Sequence, residues 1–245
     1  MILRIALSAI SNIKANILFF IFGLSSLSGI SQNLKIINLD EIPQRRVRQY
    51  IVSRSIDHMQ DFSSIHASCK VDINESDYNI NEKIFYLKYD FSKVWKTYSL
   101  GSPLKMWNGP SIRLGLMISK YSKSVKYARN FSFPEIDTGQ VYFLNLRLMK
   151  GLFNIPVAFE IINIDRIRHI LEISYLDNNK SRGKQTIQFF DNGDGRTRIV
   201  HRSYFKSGSW LRDDILYPCF HKKFIKEYHR NMKLFIKNIR RSDSI

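Results

Sequence analysis

The stretch WLRDDILYPCFHKKFIKEYHRNMKLFIKNI, residues 210–239, decides how the rest of the chain is read. Apolar side chains recur at Leu211, Ile215, Phe220, Phe224, Tyr228, Met232, Phe235 and Ile239, which fall on one stripe of an α-helix. Lys222, Lys223, Lys226, Arg230, Lys233 and Lys237 lie mostly off that stripe. Asp213 and Asp214 suit the helix start, where carboxylates complement the dipole, and Arg240 and Arg241 suit its end. Pro218, inside the pattern, predicts a kink after the first two turns. A long helix with one broad apolar face needs a surface to lie against.

That surface is written in residues 83–205. Ile84 to Tyr89 reads as an aromatic-rich strand, and Asp90 and Ser92 can cap a short helix from Phe91 to Tyr98. Gly101-Ser102-Pro103 and Asn108-Gly109-Pro110 break the chain on either side of a brief apolar turn. Six runs with period-2 alternation follow. Their inner positions are assigned as Ile112, Leu114, Leu116 and Ile118; Tyr142, Leu144, Leu146 and Leu148; Val157, Phe159 and Ile161; His169, Leu171, Ile173 and Tyr175; Gln185, Ile187 and Phe189; Ile199, His201, Ser203 and Phe205. Asn178-Asn179 and Asp191-Asn192-Gly193-Asp194-Gly195 read as hairpin turns between antiparallel neighbours. The expected fold class is α+β, a seven-stranded antiparallel sheet receiving one long helix.

Before the sheet, residues 32–82 carry a basic helix and a linker. Asp40-Glu41-Ile42-Pro43 resembles a helix entry, and the helix, with Arg45, Arg46, Arg48 and Arg54, is expected to reach about Met59 and pack outside the domain. Residues 60–81 are polar and connecting. At the N-terminus, Arg4 and Lys14 precede an apolar run from Ile17 to Leu24 and the small-residue tract 25–31, the order of a secretory signal peptide cut before Gln32. A retained anchor fits the same residues. The predicted localisation is secreted or periplasmic.

The chain holds 38 basic and 21 acidic residues, a formal net charge of +17. Such an excess points to nucleic acid, an anionic membrane surface or acidic ligands. Export argues against nucleic acid, and neither zinc-finger nor RNP-like spacing is present. No nucleotide loop, Gly-x-Ser-x-Gly elbow or metal-ligand spacing appears, so no cofactor and no metal is expected; His221 and His229, eight residues apart, lack the His-Glu-x-x-His pattern. Cys69 and Cys219 would both reach a compartment that permits disulfides, and their pairing is left open.

Tyr89-Asp90-Phe91-Ser92-Lys93-Val94-Trp95 at the first strand-to-helix junction, Asp191 to Thr197 as the late hairpin, and the final helix together carry a resemblance. The order of elements resembles the helix-grip fold of the START-like, Bet v 1-like and polyketide cyclase-like (SRPBCC) superfamily over residues 83–241. That resemblance implies a curved sheet wrapped around the C-terminal helix, with a cavity between them for lipids, sterols or other apolar molecules. An apolar wall with a few polar groups is also what a small-molecule pocket requires on physical grounds. The candidate ligand-binding residues are Leu114, Leu116, Tyr142, Leu144, Phe159, Ile161, Leu171, Tyr175, Ile199, His201 and Phe205 on the sheet, with Leu216, Phe220 and Phe224 on the helix. His201, near Tyr175 and Ser203 in this register, is the candidate polar anchor. The expected function is an exported protein holding an apolar or amphipathic small molecule, with an anionic membrane surface as a further partner. A cyclase, dehydratase or hydrolase using the same cavity is the alternative, and no catalytic residue is assigned.

Overall fold

The computed structural model describes residues 36–242 except 70, 131, 178, 180, 208 and 210–216. The expected signal segment, Leu211, Asp213, Asp214, Ile215 and Leu216, and the side chains of Cys219 and Phe220, lie outside what is described. The elements run α1 (Arg45–Val52), β1 (Asn79–Leu87), α2 (Phe91–Leu100), α3 (Pro103–Met106), β2 (Ile112–Ser119), β3 (Ser124–Tyr127), β4 (Gln140–Leu148), β5 (Phe153–Asp165), β6 (Ile170–Tyr175), β7 (Arg182–Asp191), β8 (Thr197–Lys206) and α4 (Tyr217–Ser242). All strands form one antiparallel sheet in the order β1-β8-β7-β6-β5-β4-β2-β3, and α4 packs on one of its faces. The architecture is the helix-grip fold.

Two local features differ from the sequence reading. The sheet has eight strands, because Ser124–Tyr127 folds back on β2 as a short edge hairpin. β1 begins at Asn79, four residues before the expected domain start, because Asn79 to Glu82 pair with Phe205 to Arg202. α4 is described from Tyr217 onward, so the expected helix start at residues 210–216 and the turns before Pro218, where a kink was expected, lie outside the described residues.

Period-2 alternation puts an apolar set on both faces of the sheet's middle. Toward α4 lie Leu114, Met117, Tyr142, Leu144, Phe159, Ile161, Leu171 and Ile199, with Tyr228, Met232 and Ile236 from the helix. On the opposite face Leu116, Ile118, Val141, Phe143 and Ala158 are covered by Ile37, Ile42, Val47, Ile51, Phe62 and Ile65 of the N-terminal arm. The arm's helix α1 is shorter than expected, and short 3-10 turns carry the chain on from it. Lys120 Nζ, paired with Glu160 at 3.0 Å, donates to Ile65 O; Lys184 Nζ, paired with Glu172 at 2.7 Å, donates to Val71 O. Two ion-paired lysines thus grip the arm's backbone from the sheet.

A bulge between Leu114 and Leu116 makes β2 change faces. Leu116 and Ile118, assigned to the inner set by strict alternation, point to the arm, and Met117 points to α4. Gly115 sits at the bulge, where a Cβ would lie 3.0 Å from Val47 Cγ1 and crowd the approach of α1. α4 is fastened at the other end of β2. The buried Glu227 carboxylate accepts from Ser111 N at 2.7 Å and Ile112 N at 2.9 Å, while Asn231 Nδ2 donates to Met106 O.

Candidate functional site

A cavity of about 710 Å³ lies between sheet and helix. Ile112, Leu144, Leu146, Val157, Phe159 and Ile173 line it from the strands, and Phe224, Ile225 and Tyr228 from α4. Trp107, which follows α3, stacks on Tyr228 with ring centroids 4.3 Å apart and meets Phe159 edge-on at 4.8 Å. Its indole N–H is buried without an acceptor among the described residues.

The way in follows from unequal strand lengths. β6 pairs with β5 only as far as Tyr175 opposite Phe159, so β5 from Phe153 to Val157 has β4 on one side and, among the described residues, no strand on the other. Pro156, which has no N–H to donate, sits in this one-sided stretch. The cavity lining continues past Asn154, Ile155, Asn179 and Ser181 to Arg46, Gln49, Tyr50, Ser53 and Arg54, which places the mouth beside α1. Tyr50 Oη donates to Asn179 Oδ1 at 2.6 Å, and Asn179 Nδ2 donates to Ala158 O at 3.0 Å, so the rim is tied to the sheet. Burial pushes the Tyr50 phenol up to about 12. The described lining carries two arginines and no Asp or Glu.

The polar groups inside form one connected row. Tyr98 Oη lies 2.9 Å from His229 Nδ1, His229 Nε2 lies 3.0 Å from His201 Nδ1, and His201 Nε2 lies 2.8 Å from Gln185 Oε1. Gln185 Nε2 donates to Tyr175 Oη at 3.0 Å. The Gln185 carbonyl can only accept, so His201 carries its proton on Nε2 and accepts at Nδ1. His229 must then donate from Nε2 and accept from Tyr98 at Nδ1. Every contact is satisfied with both rings neutral. Burial holds His201 well below the ordinary histidine range, with His229 and His221 adding to the shift, and brings His229 and His221 down to about 3. Tyr98 is held well above the ordinary phenol value by burial and so keeps the proton it donates.

Of the candidate residues, Leu144, Phe159, Tyr175, His201 and Phe224 line the cavity. Leu114, Tyr142, Ile161, Leu171 and Ile199 pack in the core behind it. Leu116 faces the arm because of the bulge, and Phe205 is buried far along β8, opposite Asn79 and Gly183. Leu216 and the Phe220 side chain lie outside the described residues. Sequence reasoning missed the mouth residues of α1, the partners Tyr98 and His229, and Trp107. Only the two-turn spacing of His221 and His229 on the final helix hinted that imidazoles share its buried side. Cys69 is a buried free thiol, 3.2 Å from Tyr78 Oη. Among the described residues no three His, Cys, Asp or Glu side chains converge on a shared metal position.

No family model and no curated protein matches the chain. Among solved structures it is similar to norcoclaurine synthase from Thalictrum flavum in complex with dopamine and hydroxybenzaldehyde, at 11% identity and TM-score 0.48 over 69% of this chain and 94% of that one. A point mutant of that enzyme in complex with a transition-state analogue matches at 10% identity and TM-score 0.49, over 66% and 96%. A START superfamily protein from Mycobacterium smegmatis matches at 10% identity and TM-score 0.44, over 65% and 98%. Likeness at these identities concerns the path of the backbone, not the site.

Proposed function

We propose that the protein is an exported carrier that holds an apolar or amphipathic small molecule between its sheet and α4. The observation that carries this reading is the cavity of about 710 Å³, walled by aliphatic and aromatic side chains with a few polar groups at its inner end. The buried Trp107 N–H supports a ligand that offers one hydrogen-bond acceptor, since an unpartnered buried donor costs about 1–3 kcal/mol. Export is supported by the succession along the sequence of basic, apolar and small residues within 1–31.

Native mass spectrometry and solvent extraction of the purified chain are expected to find a bound species. Anilinonaphthalene sulfonate should bind at one equivalent and lose its site when Ile173→Trp fills the cavity. No co-purifying molecule together with no saturable probe binding would refute the reading. Export is tested by sequencing the N-terminus of the protein recovered from cell fractions, with Gln32 expected first. A catalytic use of the same cavity has one observation in its favour, the polar row that reaches the lining at Tyr175 and His201. Both ring nitrogens of His201 are already engaged in that row, so binding is the better supported role.

A further inference from the structure

We infer that the protein docks on an anionic membrane through the β4–β5 hairpin and the basic side of α1, the two elements that flank the cavity mouth. The hairpin tip shows water four large apolar side chains: Met149 is 66% exposed, Leu152 72%, Phe153 55% and Ile155 42%. Met149 and Lys150 both adopt left-handed backbone angles, φ 46° and 58°, and Gly151 follows at φ 100°. Met149, Lys150 and Leu152 in this turn are exposed and not packed on the sheet. A contiguous exposed apolar tip of this kind marks an interaction surface.

Charge chooses the partner. Neither residues 42–56 nor residues 138–159 contain an Asp or Glu, while together they carry Arg45, Arg46, Arg48, Arg54, Arg147 and Lys150. Arg46 and Arg54 line the same mouth as Asn154 and Ile155, so the basic helix and the apolar hairpin stand side by side. An anionic bilayer is the surface that satisfies both at once, with headgroups for the cations and the acyl boundary for the apolar tip. Docked this way, the mouth meets the membrane, and a lipid-like molecule passes between bilayer and cavity without crossing water. That last consequence rests on the carrier function proposed above, whereas the docking does not.

The test is co-sedimentation of the full chain with vesicles of phosphatidylcholine alone and of phosphatidylcholine mixed with phosphatidylglycerol. Binding is expected to the mixed vesicles and to weaken as salt is raised. Leu152→Ser with Phe153→Ser should reduce partitioning at least about tenfold, given the methylene groups withdrawn from the acyl boundary. Arg45→Gln with Lys150→Gln should remove most of the preference for the anionic lipid. None of these four side chains lines the cavity, so both double variants should still take up anilinonaphthalene sulfonate as the parent does, with unchanged circular dichroism. The inference is overturned if the parent ignores anionic vesicles, or if the hairpin variant sediments like the parent, which would place any binding elsewhere, residues 1–31 included. It is equally overturned if the hairpin variant turns a dimer into a monomer while vesicle binding persists, since the patch would then belong to a second copy. Vesicle binding without any probe uptake by the parent would instead count against the carrier function alone.

Discussion

His201 and His229 sit ring to ring in the middle of the core, each supplying what the other lacks. Folding keeps both neutral, so their folded pKa lies below the unfolded value of about 6.5. The unfolded chain therefore takes up protons as the pH falls below 6.5 while the folded chain does not. The stability they contribute is complete above pH 6.5 and drains as the pH falls below it, by about 1.4 kcal/mol per pH unit for each ring while that ring stays neutral in the folded chain. Thermal unfolding followed from pH 7 to pH 4 should show a steep loss of Tm, and His201→Gln with His229→Gln should flatten it. Tyr98→Phe removes only a hydroxyl but leaves His229 Nδ1 without its donor. Denaturant titration is expected to show a cost of about 1–3 kcal/mol.

At the scale of elements, α4 is set against the sheet by one carboxylate as well as by its apolar stripe. Glu227 Oε1 serves both Ser111 N and Ile112 N, and Gly109 stands so close that a Cβ would fall 2.4 Å from that oxygen. Glu227→Ala should cost about 2–5 kcal/mol in equilibrium unfolding, because two buried N–H groups lose their acceptor. The sheet-to-arm contact has a similar dependence. Lys184→Met leaves Glu172 buried without its cation, and a loss of about 3–5 kcal/mol is expected by the same measurement. Neither carboxylate could be singled out from the sequence. Glu227 sits among lysines on the polar side of a helical pattern, where a charge is ordinarily solvated, and its two partners lie more than a hundred residues earlier.

For the molecule as a whole, the arm is a second wall of the core and not an outer ornament. Ile42, Val47, Ile51 and Phe62 are almost wholly buried on the sheet's far face, and such side chains contribute about 1.5–3 kcal/mol each. Their sum approaches the whole net stability of a typical domain, about 5–15 kcal/mol. A chain lacking residues 36–69 is expected to lose its near-ultraviolet circular dichroism and bind dye nonspecifically. If it instead folded cooperatively, the arm would be dispensable packing.

The helix stripe, the alternating strands and the late Asp191–Gly195 hairpin were legible because each depends on neighbours within a few positions, where side-chain direction follows from backbone period alone. Tertiary structure decided the rest. The bulge at Gly115 turned Leu116 away from the cavity, unequal strand lengths opened the mouth beside α1, and folding brought His201 to His229 across 28 positions and Tyr50 to Asn179 across 129. Such contacts exist only once distant segments have met, and no local period records which of them will.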